Sequence, residues 1–145
     1  MENVAEERQW STASLRIQSS IISGADITNT LLVQPIICRN RGDLMSTHNP
    51  ESKRRTSSVW ILDSELDRSL PIESHLEKIV DFVQNNVDRL ILLVSQSTIS
   101  IFCGFSSTEA QSSFILSTKI LKQLNVIPLE IIFDLYFPYT ESENN

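Results

Sequence analysis

The sequence predicts a single α+β domain, with an antiparallel or mixed sheet and helices on one face. Three observations carry this expectation. The chain has 145 residues, one domain's length, with ordinary hydrophobic (41%) and charged (21%) fractions. Strand-like alternation and helical periodicity take turns along it, as strand, helix, strands, long helix, strands, helix, strand. Only one helical pattern is long, so its apolar stripe has to be received by a sheet rather than by a second helix. With only 3 Gly, 5 Pro and 2 Cys, the chain is not collagenous, low-complexity or a disulfide scaffold.

The elements follow in order. Residues 1–12 are polar and expected to be flexible, with Trp10 the one residue suited to fold back or to stand exposed. Ser14-Leu15-Arg16-Ile17-Gln18 alternates polar and apolar, the signature of a half-buried strand. Gly24 breaks it, and Asp26 caps a short helix from about Ala25 to Leu32 carrying Ile27, Leu31 and Leu32. Pro35 ends that helix, because the residue before proline avoids helical dihedrals. Ile36-Ile37-Cys38 is a short strand. Residues 40–56 have no periodicity and form a long loop, which is functional or mobile. Ser58 to Leu62 is a strand anchored by Trp60, a core residue.

Ile72, Leu76, Ile79, Val83, Val87 and Leu90 then recur at steps of three and four, with Glu73, Glu77, Asp81, Gln84 and Asp88 on the other side. That is an amphipathic helix, with Ser69 as N-cap and Pro71 in its first turn. Leu90 to Val94 is expected as a buried strand, and Ser97 to Phe105 as an alternating one. After a polar connection, Phe114-Ile115-Leu116 is a further strand, Ser117 caps a helix with Ile120, Leu121 and Leu124, and a final strand runs from Leu129 to Tyr136. The main domain therefore spans 13–138, with an acidic tail at 139–145. The ferredoxin-like arrangement is the nearest named outline.

Charge is unevenly spread. Residues 39–55 hold five bases and two acids, whereas residues 56–145 hold twelve acids and five bases. A net charge of −6 disfavours general binding to DNA or to an anionic membrane and favours encounter with a basic partner. The start of the chain has no apolar signal region and no apolar run is long enough to span a membrane, so the cytoplasm is expected. Cys38 and Cys103 are then expected to be buried, reduced thiols.

No motif of catalysis stands out. His48 and His75 with the two cysteines have none of the spacings of a zinc site, and three glycines cannot build a phosphate-binding loop. No nucleophile, base and orienter set is visible, so neither an enzyme nor a cofactor is expected. The acidic stripe Glu73, Glu77 and Asp81 is a docking face for a basic partner. Arg39, Arg41, Lys53, Arg54 and Arg55 in the loop suit phosphate or carboxylate contact, with no aromatic between them for base stacking. Tyr136 and Tyr139, if exposed, are interface anchors, as is Trp10.

Several stretches look familiar together: Ser58-Val59-Trp60-Ile61-Leu62-Asp63, Ile72-Glu73-Ser74-His75-Leu76 opening the long helix, and the strand ending at Tyr136. The chain resembles a bacterial family of short domains of unknown function with a strand-borne Trp and a His-Leu helix start. That resemblance implies a small α+β fold and no established activity, with some such proteins acting as immunity proteins beside toxins. The expected function is a non-enzymatic protein-binding domain, an immunity or inhibitor protein that occludes a basic toxin or nuclease. The alternative is a nucleic-acid-linked regulator using the basic loop 39–55.

Overall fold

The computed structural model of the chain describes residues 9–138. Nine elements follow one another: β1 (Trp10–Ser19), α1 (Gly24–Leu31), β2 (Ile37–Arg39), β3 (Ser58–Asp63), α2 (Ile72–Asn85), α3 (Val87–Leu90), β4 (Thr98–Ser106), α4 (Thr118–Leu124) and β5 (Glu130–Tyr136). They build one open, mixed, five-stranded sheet in the order β2-β3-β1-β4-β5. The β1–β3, β1–β4 and β2–β3 pairs are antiparallel and β4–β5 is parallel. The four antiparallel strands with α1 and α2 reproduce the β-α-β-β-α-β pattern expected from the sequence, and α4 with β5 extends it by one parallel strand. A parallel neighbour needs a crossover, and residues 107–129 supply it.

One core cluster joins the faces. Ala13, Leu15 and Ile17 from β1, Trp60 from β3, and Ile99, Ile101 and Cys103 from β4 are buried with Ile27 and Leu31 of α1 and Leu76, Ile79, Val80 and Val83 of α2. Trp60 is fully buried, and its indole N–H donates to Thr28 Oγ1 at 3.0 Å, so the ring's one polar atom is satisfied where it meets α1.

Five local expectations are corrected. The first strand already begins at Trp10, so Trp10–Thr12 belong to the sheet; the rest of the polar start and the tail after Pro138 lie outside the described residues. Ser23, not Asp26, caps α1: its side chain accepts from the Asp26 N–H while the Asp26 carboxylate accepts from the Ser23 N–H, a reciprocal capping box. Pro71 stands at the start of α2, and Ser69 instead donates to Asp67. Leu90–Val94 is not a strand. Leu90 ends α3 and the rest is turn; Leu90 and Leu93 reach the core while Ile91 and Leu92 face solvent, a spacing of three rather than two. Phe114–Leu116 is irregular, because the Ile115 N–H goes to the Glu73 carboxylate at 2.9 Å rather than to a neighbouring strand.

Residues 40–57 are an ordered excursion. Gly42 N–H donates to Arg55 O, Arg55 N–H to Asp43 O and Met45 N–H to Lys53 O, with a bridge between Leu44 and Arg54. No described helix is long and apolar enough to cross a membrane.

Candidate binding surface

A strand has two faces, and in β1 the side chains of odd-numbered residues enter the core. Thr12, Ser14, Arg16 and Gln18 therefore point to the other side of the sheet, which no helix of the core cluster covers. Register builds the rest of this open face. Arg16 sits between Ile61 of β3 and Ser100 of β4, and Ser14 between Asp63 and Phe102. Phe102 in turn adjoins Ile132 of β5, and Ser106 adjoins Tyr136.

Arg16 is the centre of the face. Its guanidinium carbon lies 3.8 Å from the centroid of the Phe102 ring, the diagonal neighbour across β1 and β4. Stacking fixes the guanidinium plane, and the small Ser14 and Ser100 leave it room. The Arg16 Nε is buried and has no hydrogen-bond partner among the described residues.

An aromatic group sits at the far end. Trp10 packs over Gly104: a Cβ there would lie 2.9 Å from the indole ring and 2.7 Å from Thr12 Oγ1, so only glycine leaves space for the tryptophan. The Tyr136 ring is 5.5 Å from Trp10 and the Arg68 guanidinium 5.3 Å from it. Tyr136 donates its hydroxyl to Asp134 Oδ2, and that bond together with the carboxylate charge raises the phenol pKa, keeping it protonated. Beside Trp10 and Arg68 a concavity of about 370 Å³ is also lined by Pro71, Ile72, Phe105 and Phe114. Tyr139 lies outside the described residues.

The acidic stripe has partners within the chain. Glu73 accepts from the Ile115 N–H, Glu77 pairs with Lys119 at 3.2 Å, and Asp81 accepts from Gln123 Nε2 at 3.2 Å. These carboxylates clamp α4 and its approach onto α2. In the loop, Arg41 Nη1 donates to Ser20 O, Arg54 Nη1 to Gly42 O and Arg39 Nη1 to Cys38 O. Arg55 is half-buried with an unpartnered Nε, and Lys53 is exposed. Arg39, Arg55, Leu44 and His48 help to line an open groove of about 710 Å³.

The titratable groups of the interior are locked. His75 is buried; its Nε2–H donates to Asp67 O at 3.1 Å, which leaves Nδ1 to accept from the Ser64 hydroxyl at 2.7 Å. Burial is the main cause that lowers its pKa, so it is held neutral. Ser64 N–H donates to Ala13 O, so this pair ties the β3–α2 connection to β1. Cys103 is buried as expected, its thiol pushed up to about 12 by desolvation, whereas Cys38 is only half-buried; both are free. Among the described residues no group of three or more His, Cys, Asp and Glu is placed to hold a metal ion.

Sequence reasoning singled out the aromatic ends but not Arg16, Phe102 or Arg68. The alternation in Ser14–Gln18 already put Arg16 opposite the core. What it could not give was the β1–β4 register that brings Phe102 under it.

Fold and face together define a small α+β domain, one face of whose sheet carries no helix among the described residues. The chain belongs to the family described as a domain of unknown function, DUF4279, which matches residues 8–138. The resemblance to a family of short domains of unknown function is thereby confirmed at the level of the family. Comparison with curated proteins and with solved structures gives no match.

Proposed function

We propose that the chain is a non-enzymatic protein-binding domain that covers part of a partner protein with its open sheet face, in the manner of an inhibitor or immunity protein. The observation that carries this is the row of Arg16 on Phe102 and Trp10 beside Tyr136. Arginine and large aromatics dominate binding energy at protein interfaces, and here they are pre-oriented by stacking, so little side-chain freedom is lost on contact. The net charge of −6 favours a basic partner through faster encounter, while the half-buried Arg16 guanidinium offers charge-assisted donors to a carboxylate or carbonyl of that partner. A reactive role is poorly served, since Ser64, His75 and Cys103 are buried.

The test is affinity capture from the cells that make the protein, run with four baits. Wild type and the loop variant Lys53→Glu/Arg54→Glu should retain the same protein. Arg16→Glu and Trp10→Ser should each lose it. Retention by both face variants, with loss by the loop variant, would point instead to the basic excursion at 39–55.

A further inference from the structure

Among the described residues no strand pairs with the outer edge of β5, and this edge carries a second surface. β5 is the outermost strand of its side, and Ile132, Leu135, Tyr136 and the following Phe137 are 42–49% exposed. Exposed apolar side chains grouped on a seven-residue edge strand are unusual, because such edges invite pairing. The direction of the backbone is set by one bond: Ser107 N–H donates to Tyr136 O at 2.9 Å, so the Tyr136 carbonyl turns inward towards β4. Backbone groups alternate along a strand, so the N–H and C=O of Ile131, Phe133 and Leu135 turn outward.

We propose that this edge pairs with the same edge of a second copy, antiparallel about a two-fold axis through Phe133. In that register Phe133 faces Phe133 of the second copy and Ile131 faces Leu135, each pair exchanging both backbone bonds. The helix-side row is then apolar against apolar. On the open face Glu130 meets Tyr136 and Asp134 meets Ile132, so no carboxylate opposes another. Sliding by two residues preserves the backbone bonding but places Glu130 against Asp134 in one direction and Asp134 against itself in the other. Like charges directly opposite are destabilising, so the two acids that guard this edge also select one register. The dimer joins two open faces into one continuous sheet. It stands independently of how those faces are used.

Analytical ultracentrifugation of the full chain at rising concentration should show a monomer–dimer equilibrium. Ile132→Lys/Leu135→Lys, both at exposed positions, should weaken it at least tenfold, and Arg16→Glu should leave it unchanged. Register is tested in a Cys38→Ser background: Ile132→Cys mixed with Asp134→Cys should give an oxidised dimer that neither gives alone. A chain that stays monomeric at hundreds of micromolar, a dimer indifferent to the double lysine variant, or cross-linking without mixing would each overturn the proposal.

Discussion

At Gly24 the first residue of α1 passes over the half-buried Cys38 of β2. A Cβ built there would stand 2.0 Å from Cys38 Sγ and 3.1 Å from Asn40 Oδ1, and the Gly24 N–H itself donates to that Asn40 oxygen at 2.9 Å. Gly24→Ala should therefore cost about 2 kcal/mol or more, as overpacking does. Most of that loss should vanish when Cys38→Ala is added, and a double-mutant cycle by urea denaturation measures the coupling. Leu32 gives the opposite case. It closes α1 with φ 58°, a left-handed conformation that disfavours any residue with a Cβ, and it is 70% exposed. Leu32→Gly should gain up to about 1 kcal/mol, read as a raised denaturation midpoint.

His75 links the residue scale to pH. Its pKa in the fold lies below the ordinary 6.5, chiefly through burial, with Asp63 and Asp67 acting weakly the other way. Below the unfolded value the unfolded chain binds the proton first, so stability is complete above about pH 6.5 and falls as pH drops towards the folded value. Denaturation at pH 7.5 and 5.5 should show this loss in wild type and a smaller one in His75→Gln. Equal losses in both proteins would show that the imidazole is not the group responsible.

At the scale of elements, the acidic stripe of α2 shows why pattern alone does not settle role. Its carboxylates suit a face for another molecule, and within the fold they also seat residues 115–123. The exposed Glu77–Lys119 pair is worth little, but Glu73 accepts a backbone N–H that no strand serves. Glu73→Ala should speed hydrogen exchange across residues 114–124 well before the core strands change. Periodicity made β1, β3, β4, β5, α2 and α4 legible, because each has alternation or a stripe long enough to define a face. It failed at Leu90–Val94 and Phe114–Leu116, short apolar runs whose side chains fit either period; the long loop expected at 40–56 is a loop, held by backbone bonds that composition does not encode. The sheet order, and with it the open face, depends on non-local pairing and was legible only as an outline.

For the whole molecule, the division of labour follows from burial. One face of the sheet, with α1, α2 and α4, holds the core; the other carries Arg16, Phe102, Trp10 and Tyr136, with no helix over them among the described residues. Gly104 matters to that division, since its lack of a Cβ leaves room for the Trp10 indole against β4. Gly104→Ala should displace the indole, shift tryptophan fluorescence and weaken partner binding several-fold. The central claim is that this uncovered sheet is where the partner sits. It is tested most directly by amide and side-chain NMR of the labelled chain titrated with its captured partner. The account predicts shifts and protection concentrated on Arg16, Phe102, Trp10 and Tyr136, with α2 and residues 40–57 unmoved. Shifts confined to Glu73, Glu77 and Asp81 or to the arginine excursion, with the open face silent, would contradict it.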